Sequence, residues 1–152
     1  MKYYMLIVMI FLLDHFQYET QIESPTHWSY GIKKIGNNTY EVHLLATIDD
    51  GWHIYAQVQP EDAVATATKI SFAQNQFVSI IGKTTEHGKK EIYHNAIAGI
   101  TDKEYADKVD FIQKIKINSK GSGVINGTIT YQCCTDKKCL PENTISFSIP
   151  MK

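Results

Sequence analysis

Val124-Ile125-Asn126-Gly127-Thr128-Ile129-Thr130-Tyr131-Gln132-Cys133-Cys134 alternates in character residue by residue. Successive side chains of a strand point to opposite faces of a sheet. The odd positions Ile125, Gly127, Ile129, Tyr131 and Cys133 therefore predict a buried face. The even positions Val124, Asn126, Thr128, Thr130, Gln132 and Cys134 predict a solvent face. The run leads into Thr135-Asp136-Lys137-Lys138, short enough for a hairpin loop, and then into Cys139-Leu140-Pro141. With that loop between them, Cys134 and Cys139 oppose each other across two strands, at a separation a disulfide can bridge. The expectation is a Cys134–Cys139 pair on an exposed face, with Cys133 packed beneath.

The same period recurs upstream. Tyr40, Val42, Leu44, Ala46 and Ile48 alternate against Glu41, His43, Leu45 and Thr47. After the turn signal Asp49-Asp50-Gly51, Trp52, Ile54, Ala56 and Val58 alternate against His53, Tyr55 and Gln57. These two runs read as a hairpin. Residues 59–68 read as a loop, and Lys69 to Phe72 and Phe77 to Ile81 as short strands. Lys83 to Lys90, polar and charged, reads as an exposed loop, and Asp102 to Lys108 as a loop or one helical turn. Val109, Phe111, Ile115 and Ile117 predict a strand with inward odd positions. Gly121-Ser122-Gly123 predicts a turn, and Ile145, Phe147 and Ile149 a last inward-facing strand, with a bulge or kink at Pro141-Glu142-Asn143. Many short strands without an amphipathic helix predict an all-β sandwich or barrel.

The chain of 152 residues is long enough for one domain with a real core. Its 43% hydrophobic and 20% charged residues are ordinary for a soluble globular protein. Its 15 basic residues are all lysine, which removes bidentate guanidinium clamps on phosphate. With 16 acidic residues beside them and no basic patch, no nucleic-acid partner is expected. Met1-Lys2 followed by the apolar run Tyr3 to Leu13 reads as a secretory signal, too short to span a bilayer as a helix. Residues 1–24 are therefore assigned to a signal peptide or N-terminal anchor, and 25–152 to the folded domain. Export to the periplasm or cell envelope places the cysteines where disulfides persist.

Three segments carry a resemblance: Gly51-Trp52-His53-Ile54-Tyr55, Gly88-Lys89-Lys90-Glu91-Ile92-Tyr93, and Tyr131-Gln132-Cys133-Cys134 with Cys139-Leu140-Pro141. In order and spacing the chain resembles the N-terminal periplasmic domain of the bacterial thiol:disulfide interchange protein DsbD, over about Trp28 to Ile149. The resemblance implies an immunoglobulin-like β-sandwich whose two hairpin cysteines, here Cys134 and Cys139, cycle between dithiol and disulfide. It implies a thioredoxin-like or membrane electron donor and periplasmic disulfide proteins as clients. It implies no organic or metal cofactor, since the cysteines carry the electrons. His53 and Tyr55 fall on the family's site-lining positions. The family's cap loop maps to Thr84-Thr85-Glu86-His87, without the usual shielding phenylalanine. There Glu86 or His87, or else His53, is a candidate proton acceptor. The gap between the cysteines is also shorter than the family's, and the chain stops at Lys152, so a separate protein is expected to supply electrons.

Exchange needs an exposed thiolate, and Lys137 and Lys138 in the loop are candidates to lower a neighbouring thiol pKa. Cys134 is the favoured attacker. The bland alternative is a non-enzymatic immunoglobulin-like binding module with a structural disulfide. A copper or zinc site built from Cys133, Cys134, Cys139 and a histidine is disfavoured, because adjacent strand cysteines face opposite ways. Trp52 and Tyr131 read as core, His43 as an exposed strand residue.

Overall fold

The structure, a computed structural model, describes residues 23–118 and 123–151. The signal-peptide assignment, apart from Glu23 and Ser24, and most of the Gly121–Gly123 turn lie outside the described residues. Among the described residues nine strands form: β1 (Thr26–Lys34), β2 (Thr39–Ile48), β3 (His53–Tyr55), β4 (Lys69–Phe72), β5 (Val78–Asn95), β6 (Ile100–Ile117), β7 (Val124–Tyr131), β8 (Cys133–Cys134) and β9 (Asn143–Pro150). Among the described residues there is no helix.

The strands make two antiparallel sheets. One runs β1-β2-β6-β3-β8, with β5 on the other edge of β6; the other runs β4-β7-β9. The facing sides are filled by the residues whose alternation the sequence displays. Val42, Leu44, Ala46, Ile54, Val109, Phe111 and Ile115 of the larger sheet are all fully buried. They meet Ile125, Ile129, Tyr131, Phe147 and Ile149 of the smaller one. This is an immunoglobulin-like β-sandwich. Trp28 of β1 closes one end, its ring 5.9 Å from Phe111 and 5.4 Å from Tyr131.

β1 is a strand not anticipated from the sequence, although Thr26, Trp28, Tyr30 and Ile32 carry the alternating signal and its whole length pairs with β2. β2 and β3 are not hairpin partners. Both lie on the same edge of β6, end to end and in the same direction: β2 pairs with Lys108–Lys116, β3 with Glu104 and Tyr105. The Asp49-Asp50-Gly51 turn (Gly51 φ 77°) is an excursion in one continuing line, not a reversal. Opposite it, β6 passes from β2 to β3 at Asp107, whose φ of 60° lies in the left-handed region that aspartate tolerates. Val58 falls beyond the end of β3 and is 72% exposed, not inward.

Residues 83–90 and 102–108 are strand, not loop. They belong to the β5–β6 hairpin of two 18-residue strands. Their composition is largely polar because β5 pairs with β6 alone and most of its residues are exposed, while of residues 102–108 only Asp102 and Tyr105 are buried, so no apolar alternation marks them. Exposed Ile97 sits in the turn at its tip.

The long alternating run also divides. β7 pairs with β4 and β9 in the smaller sheet. At Gln132 the chain crosses over, and β8 pairs with β3 in the larger one. The parity survives the crossing, and Cys133 stays in the core at 3% exposure. The Leu140 N–H donates to the Cys133 carbonyl at 2.9 Å, so Leu140 lies opposite Cys133 as its position after the hairpin loop predicts.

Candidate functional site: the Cys134–Cys139 hairpin

The chain reverses at Thr135–Lys138 because Thr135 organises the turn. Its N–H donates to the Lys138 carbonyl at 2.7 Å, and its Oγ1 accepts from the N–H groups of Lys137 and Lys138. The turn sets Cys134 and Cys139 opposite each other with Cα atoms 4.0 Å apart, and their sulfurs are bonded. The pairing read from the spacing is the pairing in the structure.

The exposure differs from the reading. Cys134 is 1% exposed, whereas Cys139 is exposed. Outward parity places Cys134 on the sheet's outer face, but main chain flanks it on both sides, β3 on one and Cys139 on the other. An approaching thiol therefore meets Cys139 first. Cys133 lies beneath, its sulfur accepting from Thr26 Oγ1 at 3.3 Å. Burial pushes its thiol pKa up, which keeps it a neutral, unreactive group. Cys133 and Cys134 face opposite ways, and among the described residues no three potential ligands converge as a metal site.

His53 pairs directly with Cys134 across β3 and β8, so the two share the outer face. Tyr55, two residues on, shares it too; the rings pack edge to face at 5.3 Å, with His53 Nε2 3.2 Å from the Tyr55 hydroxyl. The sequence-derived site residues His53 and Tyr55 are thus brought to the disulfide. Lys138 is not free to act on a thiol: its ammonium is 2.7 Å from Glu23 and lies over the Trp52 ring, 5.2 Å from the centroid.

Glu86 and His87 are placed elsewhere, because their segment is held in β5 rather than folded as a cap. Glu86 accepts from the Gln57 N–H at 2.5 Å, the Tyr105 hydroxyl at 2.8 Å and Lys90 Nζ at 2.8 Å. Burial works to raise its carboxyl pKa, but the hydrogen bonds from Lys90, Gln57 and Tyr105 outweigh it and hold the group below the usual range. It is a brace that stays ionised. His87 is exposed and meets Thr85 Oγ1. Glu86→Ala leaves the Gln57 N–H and the Tyr105 hydroxyl without their acceptor. It is expected to cost about 2 kcal/mol of stability, read from a urea midpoint, while leaving thiol exchange unchanged. The contribution of Glu86 is present above the normal carboxylate range and disappears as pH falls through its depressed pKa.

Two of the residues that gather beside the disulfide, Asp102 and Glu104, come from the stretch read as a loop or one helical turn. His53, Tyr55, Tyr93, Asp102, Glu104 and Asp136 line a small cavity of about 100 Å³. Glu104 Oε2 lies 3.3 Å from His53 Nε2, both side chains mostly buried at 15% and 12% exposure. Burial, then the neighbouring Glu91, Asp102 and Asp136, raise the Glu104 pKa to about 7. Burial lowers that of His53, against the opposing pull of Asp136, Asp102 and Glu91. With the carboxyl raised and the imidazole lowered, the contact below about pH 7 is a hydrogen bond between neutral groups rather than an ion pair. The stability that protonated Glu104 lends is full below about pH 4.5 and is lost as pH rises through about 7. Glu104→Gln is therefore expected to gain about 2 kcal/mol over the parent at alkaline pH and little in mild acid, by urea unfolding. The signal for Glu104 lay in pairing: once β6 is a strand beside β3, Glu104 stands opposite Tyr55.

The geometry defines a class: a β-sandwich with a disulfide on a tight hairpin, one sulfur exposed and the other buried. The family model for the thiol:disulfide interchange protein DsbD, N-terminal, matches residues 21–150, and the chain belongs to that family. Among solved structures the chain is similar to the N-terminal periplasmic domain of ScsB from Proteus mirabilis, at 18% identity and a TM-score of 0.57. That match covers 85% of this chain and 47% of the other, so this chain spans about half the length of the ScsB domain. The reduced DsbD N-terminal domain of Neisseria meningitidis matches at 15% identity and TM-score 0.49, covering 80% of this chain and 83% of that one. Comparison with curated proteins returns no match.

Proposed function

We propose that this protein is a periplasmic thiol:disulfide exchange module that carries two electrons on the Cys134–Cys139 pair, from a thioredoxin-like or membrane dithiol donor to disulfide-bonded client proteins. The observation that carries the reading is the asymmetry of the pair, an exposed Cys139 bonded to a buried Cys134. A disulfide closing so short a loop contributes little by restricting the unfolded chain, so stabilisation is a poor account of it. Membership of the DsbD N-terminal family supports the exchange chemistry. Similarity to a periplasmic domain of ScsB supports the compartment, as does the lysine-led apolar run at the N-terminus.

In the receiving direction a donor thiolate attacks Cys139 Sγ in line with the S–S bond. A mixed disulfide forms, and the bonding pair leaves on Cys134 Sγ. The donor's second thiolate then attacks its own sulfur in the mixed disulfide and releases Cys139 as thiolate. The donor is oxidised and the pair reduced by two electrons. In the giving direction Cys139 attacks the client disulfide, and Cys134 resolves the adduct by attacking Cys139.

The test is the reduction potential of the pair, measured by equilibration in thiol buffers, trapping of free thiols and mass spectrometry. A value between about −250 and −120 mV, where exchange catalysts lie, is expected. A value well below about −300 mV marks a structural bridge and favours the binding-module alternative.

A further inference from the structure

Breaking the disulfide deposits a negative charge on the wrong sulfur for water to help. Cys134 is 1% exposed, and a thiolate there is poorly solvated. A buried leaving thiolate needs a proton source on its own side of the sheet. The groups facing that side are His53 and Tyr55 from β3, Glu91 and Tyr93 from β5, Asp102 and Glu104 from β6, and Asp136 from the turn after β8.

We propose that His53 and Glu104 form a proton relay for the Cys134 sulfur, with Glu104 the positioning residue that reloads the imidazole. This rests on the exchange reading above. Two features of the geometry carry it. His53 is the cross-strand neighbour of Cys134, and its Nε2 is 3.3 Å from Glu104 Oε2. Independently, Asp102, at 6% exposure, lines the same cavity with a buried Oδ1 that has no hydrogen-bond partner in the protein. An unpaired buried acceptor is costly, and here it leaves the cavity with an open position for a proton or a hydrogen-bond donor.

The step balances. As the S–S bond breaks and its electron pair goes to Cys134 Sγ, the proton on His53 Nδ1 passes to that sulfur. Nε2 takes the Glu104 proton, leaving a neutral thiol, a neutral imidazole and a Glu104 carboxylate. The reverse flow deprotonates Cys134 when it resolves a client adduct. Glu104 suits the part because burial and the carboxylates of Glu91, Asp102 and Asp136 keep it protonated up to about pH 7, while burial favours a neutral His53 that is able to accept. Tyr55, held well above its usual pKa by burial, then Asp102, Glu104 and Cys133, stays a hydroxyl beside the relay and does not titrate with it.

The experiment is stopped-flow reduction of the oxidised full chain by dithiothreitol from about pH 5.5 to about 9, with each rate divided by the thiolate fraction of the reductant. In the parent the corrected rate is expected to fall by about tenfold or more as pH rises through about 7, as Glu104 loses its proton. Glu104→Gln is expected to show a flat profile at the parent's alkaline level. His53→Gln, a second variant should the first fold poorly, is expected to be flat as well. A parent profile with no inflection overturns the relay, as does a folded Glu104→Gln protein that keeps the parent's inflection. In both cases the exchange reading stands, provided the pair still reduces and reoxidises. A disulfide that dithiothreitol leaves intact at every pH removes both.

Discussion

Cys134→Ser is expected to turn the protein into a trap. The remaining Cys139 is exposed, so its thiolate reaches a partner disulfide and forms the mixed disulfide. The hydroxyl that replaces the Cys134 thiol cannot resolve the adduct, which accumulates as a species cleaved by dithiothreitol and visible by non-reducing electrophoresis and mass. Cys139→Ser leaves only Cys134, at 1% exposure, and is expected to trap little. Both variants lose steady-state two-electron turnover by at least about a thousandfold, since neither can complete the cycle. The asymmetry is the informative part. Equal trapping by both would show that Cys134 is reachable in solution, against its burial here. No adduct from either variant would sink the exchange reading. Cys133 does not confuse the assay, because it is buried and its thiol is held neutral.

Gly127→Ala is expected to cost at least about 3 kcal/mol and to lower the melting temperature by roughly 10 °C or more. Gly127 lies mid-strand in β7, between Phe72 of β4 and Phe147 of β9. A Cβ there would approach the Phe147 ring and the Ser71 carbonyl oxygen well inside contact distance. The phenylalanine is itself 3% exposed and packs edge to face on Phe72 with centroids 5.4 Å apart, so it has nowhere to move, and the carbonyl is main chain. Gly31→Ala in β1 is the matched control. Nothing lies within 4 Å of its Cβ position, and it is expected to change stability by less than about 0.5 kcal/mol. Urea midpoints of the two variants, measured side by side, separate steric crowding from any general effect of removing a strand glycine.

The parts of the fold that were legible are those with one buried face. Val42, Leu44, Ala46 and Ile48 of β2, Val109, Phe111 and Ile115 of β6, and Phe147 and Ile149 of β9 are buried on the faces their alternation predicts. Burial of one face forces a period of two into the composition. The outer part of the β5–β6 hairpin escaped the reading because most of its residues are exposed and the two that β6 buries there, Asp102 and Tyr105, are three apart and one is charged, so its composition resembles that of a solvated loop. Its strands form through pairing, and pairing partners are not written into a single strand. The same blindness hid Glu104 and Asp102, and it left Glu86 looking like a cap-loop acid when its partners are Gln57, Tyr105 and Lys90.

What the sequence by itself determined is local: which side chains share a strand face, that Cys134 and Cys139 flank a short hairpin loop, and that Cys133 belongs to the core. Alternation and turn chemistry act over a few residues and leave their mark there. What only the tertiary structure decided is which strands become neighbours. β2 and β3 line up along one edge of β6 instead of folding on each other, and the cysteine run crosses sheets at Gln132 to lie against β3. Those choices bury Cys134, leave Cys139 open and set Glu104 against His53. They depend on how two sheets cover one apolar core, a condition on the whole chain that no short segment can record.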